Sequence, residues 1–217
     1  MHVRTRMTKD PVTISKQTTV ADALELMRKH NIRRLPVLEN NKLVGIVTDR
    51  DLSAVSPSPA TTLSVFEINY LLAKMKIKDV LPKNQKVFTI SPDAFIEEAA
   101  LIMREHKVGA LPVVEKDKLV GIITETNIFD AFIDLLGVKE QGCRIDIEVI
   151  DEPGVLANVT QIIKNDGANI SRVNVFREEG KTYLVIRLTT FYGEPIIKTL
   201  EEHGYKIITY KSYNDFQ

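Results

Sequence analysis

The sequence carries one cysteine, no tryptophan and no long apolar run. A lone Cys143 can close no internal disulfide and can build no zinc cluster, so disulfide scaffolds and thiolate metal sites are excluded. It reads as a small buried hydrophobe, and the chain fits a reducing compartment. No stretch approaches the roughly eighteen apolar residues of a membrane span. The start, MHVRTRMTKDPVTIS, is basic but lacks the apolar segment of a secretory leader, so a cytoplasmic protein is expected. Neither sign of charge is in excess: Lys and Arg number 29, Asp and Glu also 29. Nucleic-acid binding draws most of its affinity from basic side chains on phosphates, so a nucleic-acid partner is not expected. Hydrophobic residues at 44% and charged residues at 27% argue for a folded globular chain. Catalytic patterns are missing too. His2, His30, His106 and His203 have no metal-ligand spacing, and neither a nucleophile elbow nor a glycine-rich phosphate loop occurs. No catalytic residue, metal or cofactor is expected.

What is present is repetition. HNIRRLPVLENNKLVGIVTDRDL, from His30, recurs without a gap as HKVGALPVVEKDKLVGIITETNI, from His106, at an offset of 76 residues. Leu35, Pro36, Val37, Gly45, Ile46 and Thr48 are among the residues that return unchanged. Upstream, Val12-Thr13-Ile14-Ser15 matches Phe88-Thr89-Ile90-Ser91. Val20, Ala23, Leu24 and Met27 form one apolar helical face, repeated by Ile96, Ala99, Ala100 and Met103. Thr19 with Asp22 reads as a capping pair, and His30 and His106 close their helices, where a partly positive ring suits the helix dipole. Two short strands follow, Leu35–Leu38 and Leu43–Thr48, with the polar turn Glu39-Asn40-Asn41-Lys42 between them, and then another helix start. Each unit is βαββα, and two such units share one core because one alone buries too little surface. Between them lie a Pro/Ser-rich loop, Ser56–Thr62, and a helix over Val65–Lys76 with Ile68, Leu71, Leu72 and Met75 on one face.

These segments resemble the CBS domain, which occurs in tandem pairs called Bateman modules; DPVTIS, the helix ending in His, the LPV strand and GIVTDRDL carry the resemblance over residues 1–136. The repeats are bounded as 1–65 and 66–137.

Gly137 and Gly142 then flank a polar stretch, and the pattern changes. Ile145, Ile147 and Val149 alternate as in a half-buried strand, Asp151–Gly154 turns into a helix bearing Leu156, Val159 and Ile163, and Asp166-Gly167 ends it. Strands at Ser171–Arg177 and Thr182–Leu188, a helix opened by Pro195 and closed by Gly204, and a strand at Tyr205–Tyr210 complete βαββαβ, the ferredoxin-like order. IEVIDEPGVLANVTQIIKNDGANISRVNV is similar to the ACT domain, a regulatory module that commonly senses amino acids, and places it at residues 143–217. The fold class is therefore α+β.

The CBS resemblance implies an adenosyl ligand such as AMP or ATP in the cleft between the repeats. Val12 and Thr13 match the segment that contacts the base through its backbone, with Pro36 on the following strand. Thr48 and Asp51 match positions that bond ribose and phosphate, and Arg33 and Arg34 lie where basic side chains reach phosphates. A carboxylate accepts from both ribose hydroxyls and a guanidinium pairs bidentately with phosphate. Helix capping for Asp51, and a solvated face or intersubunit ion pair for the arginines, stand beside these readings. In the second copy Thr89 and Thr124 remain, but Asn127 replaces Asp51, and Gly109 and Ala110 replace the arginines. An amide has one acceptor oxygen, so at most one strong adenosyl site is expected per chain. In the ACT portion, Gly154, Val155 and Leu156 at a helix start and Asn169 and Ile170 at the next strand are the amino-acid candidates, with turn formation as the plain alternative for Gly154 and Asn169. A CBS pair followed by ACT resembles the bacterial acetoin-utilisation regulatory group, the closer likeness lying in His30–Val37 and Val47–Asp51. A non-enzymatic ligand sensor acting as a homodimer on a protein partner is expected. The alternatives are an assembly protein without ligand sensing and, more remotely, an enzyme of undetected type.

Overall fold

A computed structural model describes residues 1–55, 64–83 and 85–213, without the side chains of Val65 and Asn69. The expected loop Ser56–Thr62 lies outside the described residues. The chain forms two compact units, Met1–Phe129 and Asp130–Gln217.

The first unit contains β1 (Thr8–Lys9), β2 (Ile14–Ser15), α1 (Val20–His30), β3 (Arg34–Glu39), β4 (Lys42–Thr48), α2 (Asp49–Ala54), α3 (Val65–Lys74), α4 (Ile77–Val80), α5 (Ile96–His106), β5 (Ala110–Glu115), β6 (Lys118–Thr124) and the start of α6 (Glu125–Leu135). The unit boundary thus falls inside α6, ahead of the Gly137–Gly142 stretch. The repeat is visible in the sheets. β2 runs parallel to β3 with Ile14 beside Val37, and β3 pairs antiparallel with β4. In the second copy a single parallel bridge joins Ile90 to Val113, and β5 pairs antiparallel with β6.

Both hairpins close on two successive left-handed residues, Asn40 and Asn41 at φ 48° and 63° and Lys116 and Asp117 at the same values. That turn matches the right-handed twist of the strands it joins. Each first helix ends on a left-handed residue as well, Asn31 or Lys107. Thr19 Oγ accepts from the Asp22 amide, as a cap should. Of the apolar faces read from the sequence, Val20, Ala23 and Met27 are buried in one copy and Ile96, Ala99 and Met103 in the other. Leu24 and Ala100 are half-buried, and Leu71, expected on the apolar face of α3, is exposed. α3 ends at Lys74 rather than Lys76, because Met75 turns extended and Lys76 bridges to Thr19.

Lead-in segments cross between the copies. β1, at the start of the first repeat, pairs with β6 of the second, and the Val3 and Arg4 amides donate to the carbonyls of Ala94 and Pro92. On the other side, the amides of Ile77 and Lys78, in the early part of the second repeat, donate to the carbonyls of Thr18 and Lys16. Each half thus supplies backbone partners to the other.

The second unit holds β7 (Gly142–Val149), α7 (Val155–Asn165), β8 (Ile170–Glu178), β9 (Lys181–Leu188), α8 (Glu194–Glu202) and β10 (Lys206–Tyr213). The sheet order is β10-β7-β9-β8, all antiparallel. Cys143, Ile145 and Ile147 on β7 and Leu184, Ile186 and Leu188 on β9 pack with Val159, Ile163, Ile196 and Leu200 of the helices. Burial pushes the Cys143 thiol up to about 11, helped by the nearby Glu194 carboxylate, so it is an inert core group. The last strand runs on to Tyr213, beyond the expected Tyr210, because β7 offers partners as far as Gly142.

Candidate functional site

Crossing of the lead-in segments builds two clefts in the first unit, each lined by parts of both repeats. The first, about 500 Å³, takes Thr48 and Asp51 from the turn into α2 and faces them with Lys86–Phe88 and Lys107–Ala110 of the second repeat. The second, about 740 Å³, takes Thr124 and Asn127 from the start of α6 and faces them with Asp10–Val12 and Asn31–Arg34 of the first repeat. Most of the lining of one cleft maps onto the other at the 76-residue offset that relates His30 to His106.

This divides the candidate set. Val12 and the Thr48/Asp51 pair, expected in one site, stand in different clefts: Val12 with Thr124 and Asn127, Thr48 and Asp51 with Phe88. The reason is the exchange of lead-in segments, which contiguous sequence does not announce. Arg33 and Arg34 line both clefts. Thr13, Pro36 and Thr89 line neither; Pro36 is buried on β3 opposite Ile46, while Pro112, its repeat counterpart, borders the first cleft.

At the turn into α2, Thr48 Oγ accepts from the Asp51 amide at 3.2 Å, and Asp51 Oδ2 accepts from the Thr48 amide at 2.9 Å and from its hydroxyl at 2.8 Å. Thr48 is thus the N-cap and Asp51 the third helical residue of a reciprocal capping box. Capping is real here, but all of it falls on one carboxylate oxygen; Oδ1 bonds to nothing among the described residues. Asn127 copies the arrangement, its Oδ1 accepting from the Thr124 amide at 2.9 Å and hydroxyl at 2.8 Å. Its acceptor is then spent, and only the Nδ2 donor is left.

Arg34 reaches across the repeat boundary to within 4.0 Å of Glu125. It passes over Gly109, where a Cβ would lie 2.2 Å from the guanidinium, so the glycine that replaces Arg33 in the second copy clears the way for the arginine next to its counterpart in the first. Phe88 stacks on His106 at 3.7 Å between centroids, and Lys86 lies 4.9 Å from the same ring. Lys86, Phe88, Lys107, Arg50 and Asp10 are lining residues that the sequence reading did not single out. Projecting the candidate Val12 through the repeat offset leads to Phe88; Lys86 and Lys107 correspond to Asp10 and Asn31, which carried no signal of their own.

In the second unit, Gly154 is the N-cap of α7 at φ 95°, with open space where a Cβ would stand, so backbone conformation rather than a close neighbour calls for glycine. Val155 begins the helix and Leu156 is 40% exposed. Arg177 of β8 bonds Asp151 at 2.7 Å and holds that carboxyl below its usual range, tying the loop to the sheet. The Asn169 carbonyl accepts from the Thr189 amide, and Ile170 opens β8. Among the described residues no group of three or more His, Cys, Asp or Glu could hold a metal, and no helix is long and apolar enough to cross a membrane.

Residues 3–57 and 77–134 match the CBS domain model. The chain belongs to the CBS domain family. Residues 139–190 match the ACT domain model, so tandem CBS domains are followed by an ACT domain. A solved structure of a protein described as an acetoin utilization protein, AcuB, from Vibrio cholerae is 36% identical, covers 64% of this chain and 94% of its own, and superposes with a TM-score of 0.52. The structure of CBSX2 in complex with AMP is 30% identical over 61% of this chain and 96% of its own, with a TM-score of 0.50. A CBS domain-containing protein of Dictyostelium discoideum is 35% identical over 62% of this chain and 92% of its own length. The inosine-5′-monophosphate dehydrogenase of Korarchaeum cryptofilum is 32% identical over 77% of this chain, which spans 33% of that enzyme.

Proposed function

We propose that this CBS–ACT protein is a regulatory ligand sensor that binds an adenosyl nucleotide between its CBS repeats. The observation that carries the reading is the first cleft, where a carboxylate with one unengaged oxygen faces a cluster of arginines and lysines. A ribose hydroxyl can donate to Asp51 Oδ1 while Oδ2 keeps the helix cap, and a phosphate meets the cations. The AMP complex of the similar CBSX2 supports this ligand class. Amino-acid binding at the ACT domain belongs to the same proposal, with the start of α7 at Gly154–Leu156 receiving a carboxylate beside Asn169 and Ile170. The likeness to AcuB supports a place in acetoin utilisation. The chain acts as a homodimer in the cytoplasm, its ligands shifting the balance between states that a protein partner reads; only unequal affinity for those states can signal. Exposed Phe66 and Tyr70 on α3 and Phe129 on α6, at 87%, 59% and 67%, support a second copy as the cover for the apolar helix faces.

A thermal-shift panel of AMP, ADP, ATP, NAD, S-adenosylmethionine and free amino acids tests this. A ligand at a hundred times its dissociation constant adds about 2.7 kcal/mol of stability. No shift with any adenosyl compound at millimolar concentration rejects the nucleotide reading and favours an assembly role.

A further inference from the structure

The clefts share a backbone plan and differ sharply in charge. At three places where the first offers a cation the second does not: Lys86 stands where the second has Asp10, Lys107 where it has Asn31, and Arg50 where it has Thr126. Arg33 and Arg34 reach both and discriminate nothing. Each cleft is lined by two carboxylates, Asp49 and Asp51 in the first and Asp10 and Glu125 in the second, so the contrast lies in the cations. In the second, Arg34 is already within 4.0 Å of Glu125. In the first, Lys86, Lys107 and Arg50 form no ion pair among the described residues. A surface that gathers unpaired cations at one wall of a cleft is built to meet an anion; one that sets a carboxylate at the same wall repels it.

We infer that the first cleft selects adenosyl ligands by their phosphate, and that the second holds an adenosyl ligand without phosphate recognition. This rests on the nucleotide reading above and adds a division of labour to it. The paired clefts then report on different chemical species, the first on a phosphorylated nucleotide and the second on a nucleoside-like compound.

Calorimetry with AMP and adenosine on the full chain tests it. AMP should bind the first cleft about tenfold more tightly than adenosine, the worth of one charge-assisted contact. The exposed double substitution Arg50→Thr with Lys86→Asp, which gives the first cleft the second's residues at two of those three places, should bring AMP down close to the level of adenosine and leave adenosine within about twofold. Thr126→Arg with Asn31→Lys should create phosphate preference in the second cleft, seen as an added or strengthened AMP event. An AMP-to-adenosine ratio unchanged in the first double variant, or no gain of AMP binding in the second, overturns the inference while leaving adenosyl binding intact. Binding of neither ligand to the wild-type chain overturns the nucleotide reading itself, and this inference with it.

Discussion

The two CBS repeats meet the same problem, an open strand edge beside a cleft, with different chemistry. The outer edge of β6 is covered by backbone: Thr8 and Lys9 of β1 pair with Ile122 and Gly121. At the corresponding edge of β4 no paired strand occurs among the described residues. Gln85, the repeat counterpart of Lys9, donates from Nε2 to the Ile46 carbonyl at 2.9 Å and accepts from the Ile46 amide at 3.0 Å, so one side-chain amide imitates a peptide group. Both edges run past a glycine. At Gly45 an added Cβ would lie 2.9 Å from Leu81, and at Gly121 2.5 Å from Met7. The fold needs the edge satisfied, since an unpaired buried peptide group is costly, but it does not dictate who satisfies it. Backbone cover is nearly blind to side-chain identity; side-chain cover depends on a single residue.

Equivalence of the two halves can be broken at the core first. Leu35 and Leu111 hold matching positions, both fully buried. Replacing either with Ala should cost about 2–5 kcal/mol, and the two costs should agree within about 1 kcal/mol if the halves are energetically alike. Urea unfolding measures both, and a gap larger than that would show that one repeat dominates the stability. Next comes the edge itself. Gln85→Ala strands the amide and carbonyl of Ile46 and should cost about 1–3 kcal/mol, whereas Lys9→Ala, leaving β1 paired through its backbone, should stay within about 0.5 kcal/mol. Equal effects in the same assay would refute the distinction between backbone and side-chain cover.

The repeats also mark what could be read in the sequence. Helix faces such as Val20, Ala23 and Met27 were legible because burial imposes a 3.6-residue period, and the Asn40-Asn41 turn because asparagine tolerates left-handed backbone. In the ACT portion, Gly154 at a helix start and the alternation of Ile145, Ile147 and Val149 led to the observed elements in the same way. What lay hidden was pairing across long separations. Nothing near Thr8 says that it joins a strand at Ile122, so the partition of Val12 from Asp51 into separate clefts could not be read locally. Gln85 was invisible for another reason: a lone glutamine in a polar stretch looks solvated until its partner is known. The charge contrast between Lys86 and Asp10 was available in principle, since the offset is constant, but only a fold that sets repeat against repeat gives it meaning.

The finest comparison is between Asp51 and Asn127, which cap their helices alike and differ by one acceptor. Asp51→Asn should keep the cap, because Asn127 shows an amide oxygen accepting from the threonine amide and hydroxyl at the distances the carboxylate achieves. What is lost is a negative charge in the first turn of α2, worth about 0.3–1 kcal/mol against the helix dipole, and Asn127→Asp should gain a similar amount in α6. Ligand binding should move far more than stability. With the cap occupying one oxygen, Asp51 has an acceptor left for ribose, whereas an asparagine there offers only its N–H donors. Asp51→Asn should therefore weaken adenosine binding about tenfold, the loss of a charge-assisted hydrogen bond. Asn127→Asp should strengthen the second cleft by a comparable factor. Thermal melts and calorimetry on the same pair of variants separate the two roles. If stability falls by well over 1 kcal/mol while affinity holds, Asp51 is a capping residue and the ribose is held elsewhere; if affinity changes in opposite directions with stability almost level, the unengaged oxygen is the recognition element.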